Sequence, residues 1–117
     1  ITKAGDKAEA DLKAALEFTS EPRSRDAILL LQGQNRENNL KNDDAALEAY
    51  NAIIADRKQI GGADEFAALQ GIARVLARKG RFDEALAVLD RANPEKLQGV
   101  WKTQIMKSIE AVKQARK

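Results

Sequence analysis

The chain has 117 residues, 44% hydrophobic and 4% aromatic, with a net charge of +2 and neither histidine nor cysteine. That length suits one small domain with a modest core, while the missing His and Cys exclude disulfides, thiol chemistry, the common zinc sites and histidine-dependent nucleophilic catalysis. No run approaches the roughly 18 apolar residues of a membrane span, and neither a G-x-x-x-x-G-K-[ST] phosphate loop nor a dinucleotide fingerprint occurs.

Abundant Ala, Leu, Lys, Glu and Gln favour helix, and only two prolines interrupt it. The small net charge is unevenly divided. Residues 1–73 carry 9 basic and 13 acidic side chains, and residues 74–117 carry 11 and 5, giving halves of −4 and +6. No signal peptide is visible. A chain that begins with Ile and opens inside a helical pattern reads as a trimmed or processed product, with room upstream for a signal, an anchor or further helices.

The first stretch, residues 3–18, places Ala8, Leu12, Ala15, Leu16 and Phe18 at helical spacing behind Gly5, which reads as a turn. Thr19 to Arg23, with Ser20 and Pro22, reads as a connection, and Ser24 as the cap of the next helix. That helix carries Gln34, Asn35 and Asn38 at positions that a core would fill with apolar groups. Buried amides need partners. Either the helix is rotated to use Ile28, Leu31 and Leu40, which is the preferred reading, or its polar face is open or partnered by a neighbouring element. The following helix has an ordinary apolar face of Ala46, Leu47, Tyr50, Ile53 and Ile54. A loop at Gln59-Ile60-Gly61-Gly62 should end it, with Asp64 capping its successor.

Leu69 to Ala92 is the most legible stretch. Leu69, Ile72, Ala73 and Leu76 form one stripe, Gly80 sits where a left-handed C-cap is expected, and Phe82, Ala85, Leu86, Leu89 and Ala92 form a second stripe. The small Ala73 and Ala85 predict close approach of two antiparallel helices. After Asn93-Pro94 a final helix is expected from Glu95 to about Ala115. Leu97, Trp101, Ile105, Ile109 and Val112 share one face, which Met106 widens and Lys102, Lys107 and Lys113 flank. It reads as a cap over the preceding hairpin.

The chain also matches itself. Leu31-Gln32-Gly33-x-x-Arg36 returns 38 residues later as Leu69-Gln70-Gly71-x-x-Arg74, and Gly5, Asn42 and Gly80 mark turns 37 and 38 apart. Leu69, Ile72, Ala73 and Leu76, with Gly80, Phe82, Ala85, Leu89, Ala92 and the nearby Pro94, resemble the tetratricopeptide repeat, a helix-turn-helix unit of about 34 residues. The preferred first-helix tryptophan is missing, and Gly71 lies two places early. The resemblance implies an all-α fold of antiparallel helical hairpins stacked as a tetratricopeptide-like α-solenoid fragment. Residues 1–117 would form a single domain: a partial N-terminal unit (1–18), two full units (24–60 and 64–93) and a capping helix (95–116).

The resemblance further implies a concave surface lined by first helices, with peptide contacts at Gln70, Arg74 and Arg78, and by the internal match at Gln32 and Arg36. Arg74 and Arg78, four apart, share a helical face and suit an acidic segment or a terminal carboxylate. The family's specialised carboxylate clamp is not reproduced, because Gln70 and Arg74 stand where it has lysine and asparagine. The plainer reading of these residues is solubility and salt bridges to a neighbouring helix. Asp43-Asp44 and Asp83-Glu84 read as helix starts rather than catalytic pairs. Lys96 to Lys117 holds six basic residues against Glu110 alone, an arrangement able to meet phosphates. It lacks interleaved aromatics, however, and Trp101 belongs to the apolar face, which argues against nucleic acid.

The expected function is therefore a noncatalytic scaffold for a protein or peptide, without cofactor or metal. Cytosol and bacterial periplasm both fit a chain free of cysteine. Similarity to exported bacterial proteins with irregular repeats leans towards the periplasm or cell envelope, as part of a larger exported or membrane-anchored protein. Two alternatives stand beside it: a structural spacer or cap without its own ligand, and an RNA-associated adaptor using the basic terminal helix.

Overall fold

The computed structural model describes residues 3–55 and 57–117. Positions 1 and 2 of the expected N-terminal part-unit, and position 56 of the first full unit, lie outside them. The fold is all-α, with six α-helices and a single 3-10 turn, and no strand among the described residues. No helix among them is long and apolar enough to cross a membrane. Contacts gather into two compact units, Ile1–Ala55 and Asp56–Lys117.

The first unit holds α1 (Lys3–Glu17), α2 (Pro22–Asn38) and α3 (Asp43–Ile54), with α2 packed against both others. Gly5 is not a turn. It lies buried in the first turn of α1, and its carbonyl accepts a hydrogen bond from Asn35 Nδ2 at 2.9 Å. Phe18 falls past the end of α1 and is 89% exposed rather than part of a stripe. Arg25 closes that helix end, its Nη1 donating to the carbonyls of Leu16 (3.1 Å) and Thr19 (3.0 Å). Ser24 does not cap α2. The helix starts two residues earlier at Pro22, whose fixed φ suits a first turn, after Glu21.

The rotation expected of α2 is not what the structure adopts. Leu31 is 53% exposed, and Gln34 and Asn38 face solvent, so that face is open and its amides stay hydrated. The buried positions are instead Gln32, Gly33, Asn35 and Glu37. Each polar one has a partner: Asn35 through Gly5 and Asn39, Glu37 through the Tyr50 hydroxyl at 2.7 Å, and Gln32 through Glu9. Across from them α3 supplies the apolar half of the core with Ala46, Ala49, Tyr50, Ile53 and Ile54. Asn42 begins α3 as its cap, accepting from Ala45 N–H at 3.1 Å, and the left-handed residue of this turn is Lys41 (φ 53°).

Gly33 is required by Tyr50. A Cβ at Gly33 would lie 2.5 Å from Tyr50 Cε1 and 2.7 Å from Cδ1, and the ring cannot swing away, being 1% exposed and tied to Glu37. Gly33→Ala should therefore destabilise this unit by about 1–3 kcal/mol through overpacking. Urea denaturation followed by far-UV circular dichroism checks it. A Tyr50→Leu background should absorb most of the difference, and an unchanged midpoint for Gly33→Ala in the parent chain would contradict the contact.

The second unit contains α4 (Ala63–Arg78), α5 (Phe82–Asp90), a 3-10 turn (Pro94–Lys96) and α6 (Gly99–Arg116), with the three α-helices in mutual contact. Of the expected stripes Leu69, Ile72, Ala73, Leu76, Ala85, Leu89 and Ala92 are buried, joined by Phe66, Ala68 and Val75, while Phe82 and Leu86 are only half-buried. Asp64 is not the cap of α4. That place belongs to Gly62, whose N–H donates to Glu65 Oε1 at 2.9 Å. Gly80 has φ 77°, and the N–H groups of Gly80 and Arg81 donate to the carbonyls of Ala77 (3.0 Å) and Leu76 (2.9 Å). This pair of bonds is a Schellman cap, which a residue without Cβ adopts at little cost. In the first turn of α5 Arg81 Nη2 donates to Glu84 Oε1 at 2.9 Å, and this hydrogen bond holds the Glu84 carboxyl below its ordinary value. Both residues are exposed, so the pair adds little stability.

The last helix begins later than expected. Leu97 and Gln98 are extended and Gly99 has φ 72°, so the 3-10 turn at Pro94 cannot run on into α6. Ile105 and Val112 are buried by α6, and the half-buried Trp101 ring lies 5.3 Å from the Phe66 ring with their planes tilted by 40°.

Candidate functional site

Two helices of the second unit build a basic groove. On α4, Gln70, Ala73, Arg74, Ala77 and Arg78 fall at i, i+3, i+4, i+7 and i+8, one continuous helical stripe. Opposite them α6 presents Gln104, Lys107, Ser108 and Ala111 at the same rhythm. Ala73, Ala77, Ser108 and Ala111 are small, so a space of about 320 Å³ remains between the helices. Arg74, Arg78 and Lys107 line it, and no Asp or Glu does. Cations set around a concave surface attract anions more strongly than the same charges scattered on a convex one.

Gln70 does not point its amide at an open surface. Its Nε2 donates to Ser108 Oγ at 3.0 Å and to the Gln104 carbonyl at 3.4 Å, and Ser108 Oγ donates to that same carbonyl at 3.2 Å. The side chain thus fixes the spacing of α4 and α6 and with it the width of the groove. Arg74 and Arg78 are exposed along its rim.

Gln32 and Arg36 occupy a different setting despite the shared sequence pattern. Glu9 Oε1 accepts from Gln32 Nε2 (3.1 Å), Arg36 Nε (2.9 Å) and Arg36 Nη2 (2.6 Å), and Arg36 Nη1 donates to the Ala45 carbonyl at 2.9 Å. The Arg36 and Glu9 side chains are 12% and 16% exposed. These residues clasp the three helices of the first unit and are committed to that role. The five residues expected at one surface therefore divide: Gln70, Arg74 and Arg78 come together, while Gln32 and Arg36 serve the interior of the other unit.

The sequence reading missed Glu9 and the contribution of Lys107 and Ser108. Glu9 pairs across 27 residues, a distance over which no local pattern operates. Lys107 carried a signal, as a cation flanking the apolar face of the last helix, but its placement beside Arg74 depends on how α6 packs. Among the described residues no group of three or more His, Cys, Asp or Glu is placed to hold a metal ion. Compared with known proteins, the chain matches no family model, no curated protein and no solved structure.

Proposed function

We propose that this chain is a noncatalytic peptide-binding module of tetratricopeptide type, and that it takes an acidic segment along the groove between α4 and α6. One observation carries the reading: Arg74, Arg78 and Lys107 converge on a groove with a small-residue floor and no lining acid. A bound carboxylate would receive charge-assisted hydrogen bonds from the guanidinium groups that line this groove. The tetratricopeptide assignment draws support from α4 and α5 as an antiparallel hairpin and from α6 laid against both, as the first helix of a following unit would be. The alternative use of the basic terminal helix for RNA is less favoured, because its one aromatic, Trp101, is half-buried against Phe66 and no other aromatic stands among its lysines.

The test is fluorescence anisotropy with a labelled Glu-rich peptide. Binding should weaken as salt rises, and Arg74→Glu/Arg78→Glu should weaken it by about a hundredfold, since two charge-assisted contacts of about 1.5 kcal/mol each are lost. Both arginines are exposed, so thermal melting should change little. Equal affinity of the folded double variant would remove the groove from consideration. Absence of peptide binding would favour the spacer reading, and preference for a single-stranded RNA of matched charge would favour the adaptor reading.

A further inference from the structure

A second groove lies on the other flank of α6, between it and α5, with a volume of about 720 Å³. Its floor is apolar: Leu86 and Ala87 from α5, Met106 and Ile109 from α6. Met106 is 47% exposed there, a large apolar side chain on a helix that buries Ile105 completely one residue earlier. The charges beside this floor are sorted. Asp83 and Asp90 stand on α5 and Glu95 on the 3-10 turn after it, and Lys102 and Lys113 stand on α6.

We propose that this groove docks an amphipathic α-helix with an apolar stripe, basic side chains along one flank and acidic side chains along the other. The occupant is a helix because the floor offers no hydrogen-bonding side chain. An extended segment laid there would bury backbone N–H and C=O groups without partners, whereas a helix satisfies its own. The lining residues of α6 from Lys102 to Lys113 run about 16 Å along the axis at 1.5 Å per residue, which matches about three turns of a partner. Ala87 leaves space at the floor for close approach. The sorted walls select the flanks. A helix basic on both sides would set cations against Lys102 and Lys113, and one acidic on both sides would set carboxylates against Asp83, Asp90 and Glu95. Asp83 also accepts a hydrogen bond from Arg116 Nη1 at 3.1 Å, an exposed pair that adds little stability but leaves Asp83 on the α5 side of the groove.

This docking site is independent of the acidic-peptide groove on the opposite flank. Its test uses three synthetic helical peptides of about 14 residues with one Leu stripe: flanks sorted into Lys and Glu, Lys on both, or Glu on both. Anisotropy titrations should show the sorted peptide binding at least about fivefold more tightly than either uniform one. Met106→Glu should abolish that binding. Lys102→Glu/Lys113→Glu, which makes both walls acidic, should transfer the preference to the uniformly basic peptide, and this result stands even if Met106→Glu folds poorly. Equal affinity for the three peptides, binding that survives Met106→Glu in folded protein, or an unchanged preference in the double Lys variant would each overturn the proposal. So would self-association in sedimentation that Met106→Glu dissolves, since a second copy would then be the occupant.

Discussion

Replacing Glu9 with alanine should destabilise the first unit by about 2–4 kcal/mol. One carboxylate oxygen takes three N–H donors from Gln32 and Arg36, and no other acceptor replaces it for Gln32 in the described hydrogen bonds. Gln32 is 4% exposed and the Arg36 side chain 12%, so the abandoned donors would be poorly hydrated. Stranding a buried donor costs about 1–3 kcal/mol, and more for a charged one; the residual exposure of the pair keeps the total below that of a fully buried ion pair. Glu9→Gln should fall between, since it keeps an acceptor but not the charge. Amide exchange reads the effect residue by residue: protection in α1, α2 and α3 should drop by about a hundredfold for a loss near 3 kcal/mol. Undiminished protection in Glu9→Ala would mean that the clasp contributes nothing.

The second large effect belongs to Trp101. Removing a fully buried Trp costs about 3–5 kcal/mol, but this ring is only half-buried, so Trp101→Ala should lose about 2–3 kcal/mol, including about 1 kcal/mol from the ring pair with Phe66. The loss should appear first as fraying of the 3-10 turn and the opening turns of α6, while Ile105 and Val112 still anchor its middle and end. Trp101→Phe should restore most of the stability. Thermal denaturation by circular dichroism, with amide exchange after Pro94, checks both variants. A Trp101→Ala protein as stable as its parent would show that the ring does not seal this helix.

How much of this was legible follows from where each signal resides. The α4–α5 hairpin was readable because its signals are local: stripes at helical spacing, and Gly80 at a position that needs positive φ. Gly5 misled for the same reason. A glycine signals a turn in isolation, yet α1 begins before it, and its carbonyl is taken up by Asn35 from α2. The interior of the first unit was unreadable because its polar groups are satisfied over long separations: Glu9 with Arg36, Gly5 with Asn35, Glu37 with Tyr50. Leu31 illustrates the converse. It occupies the same place in the repeated LQGxxR pattern as the wholly buried Leu69, yet it lies half in solvent. In the candidate site, the tetratricopeptide resemblance pointed to Arg74 and Arg78 and their four-residue spacing set them on one face, whereas Gln104, Lys107 and Ser108 entered only with the packing of α6.

The most direct measurement of the central claim is an amide chemical-shift titration of the whole chain with the Glu-rich peptide. The largest shifts should fall on Ala73, Ala77, Gln104, Ser108 and Ala111, the residues between the basic rims, and Arg74→Glu/Arg78→Glu should erase them. Shifts confined to α1, α2 and α3, or to the α5–α6 groove around Met106, would contradict it.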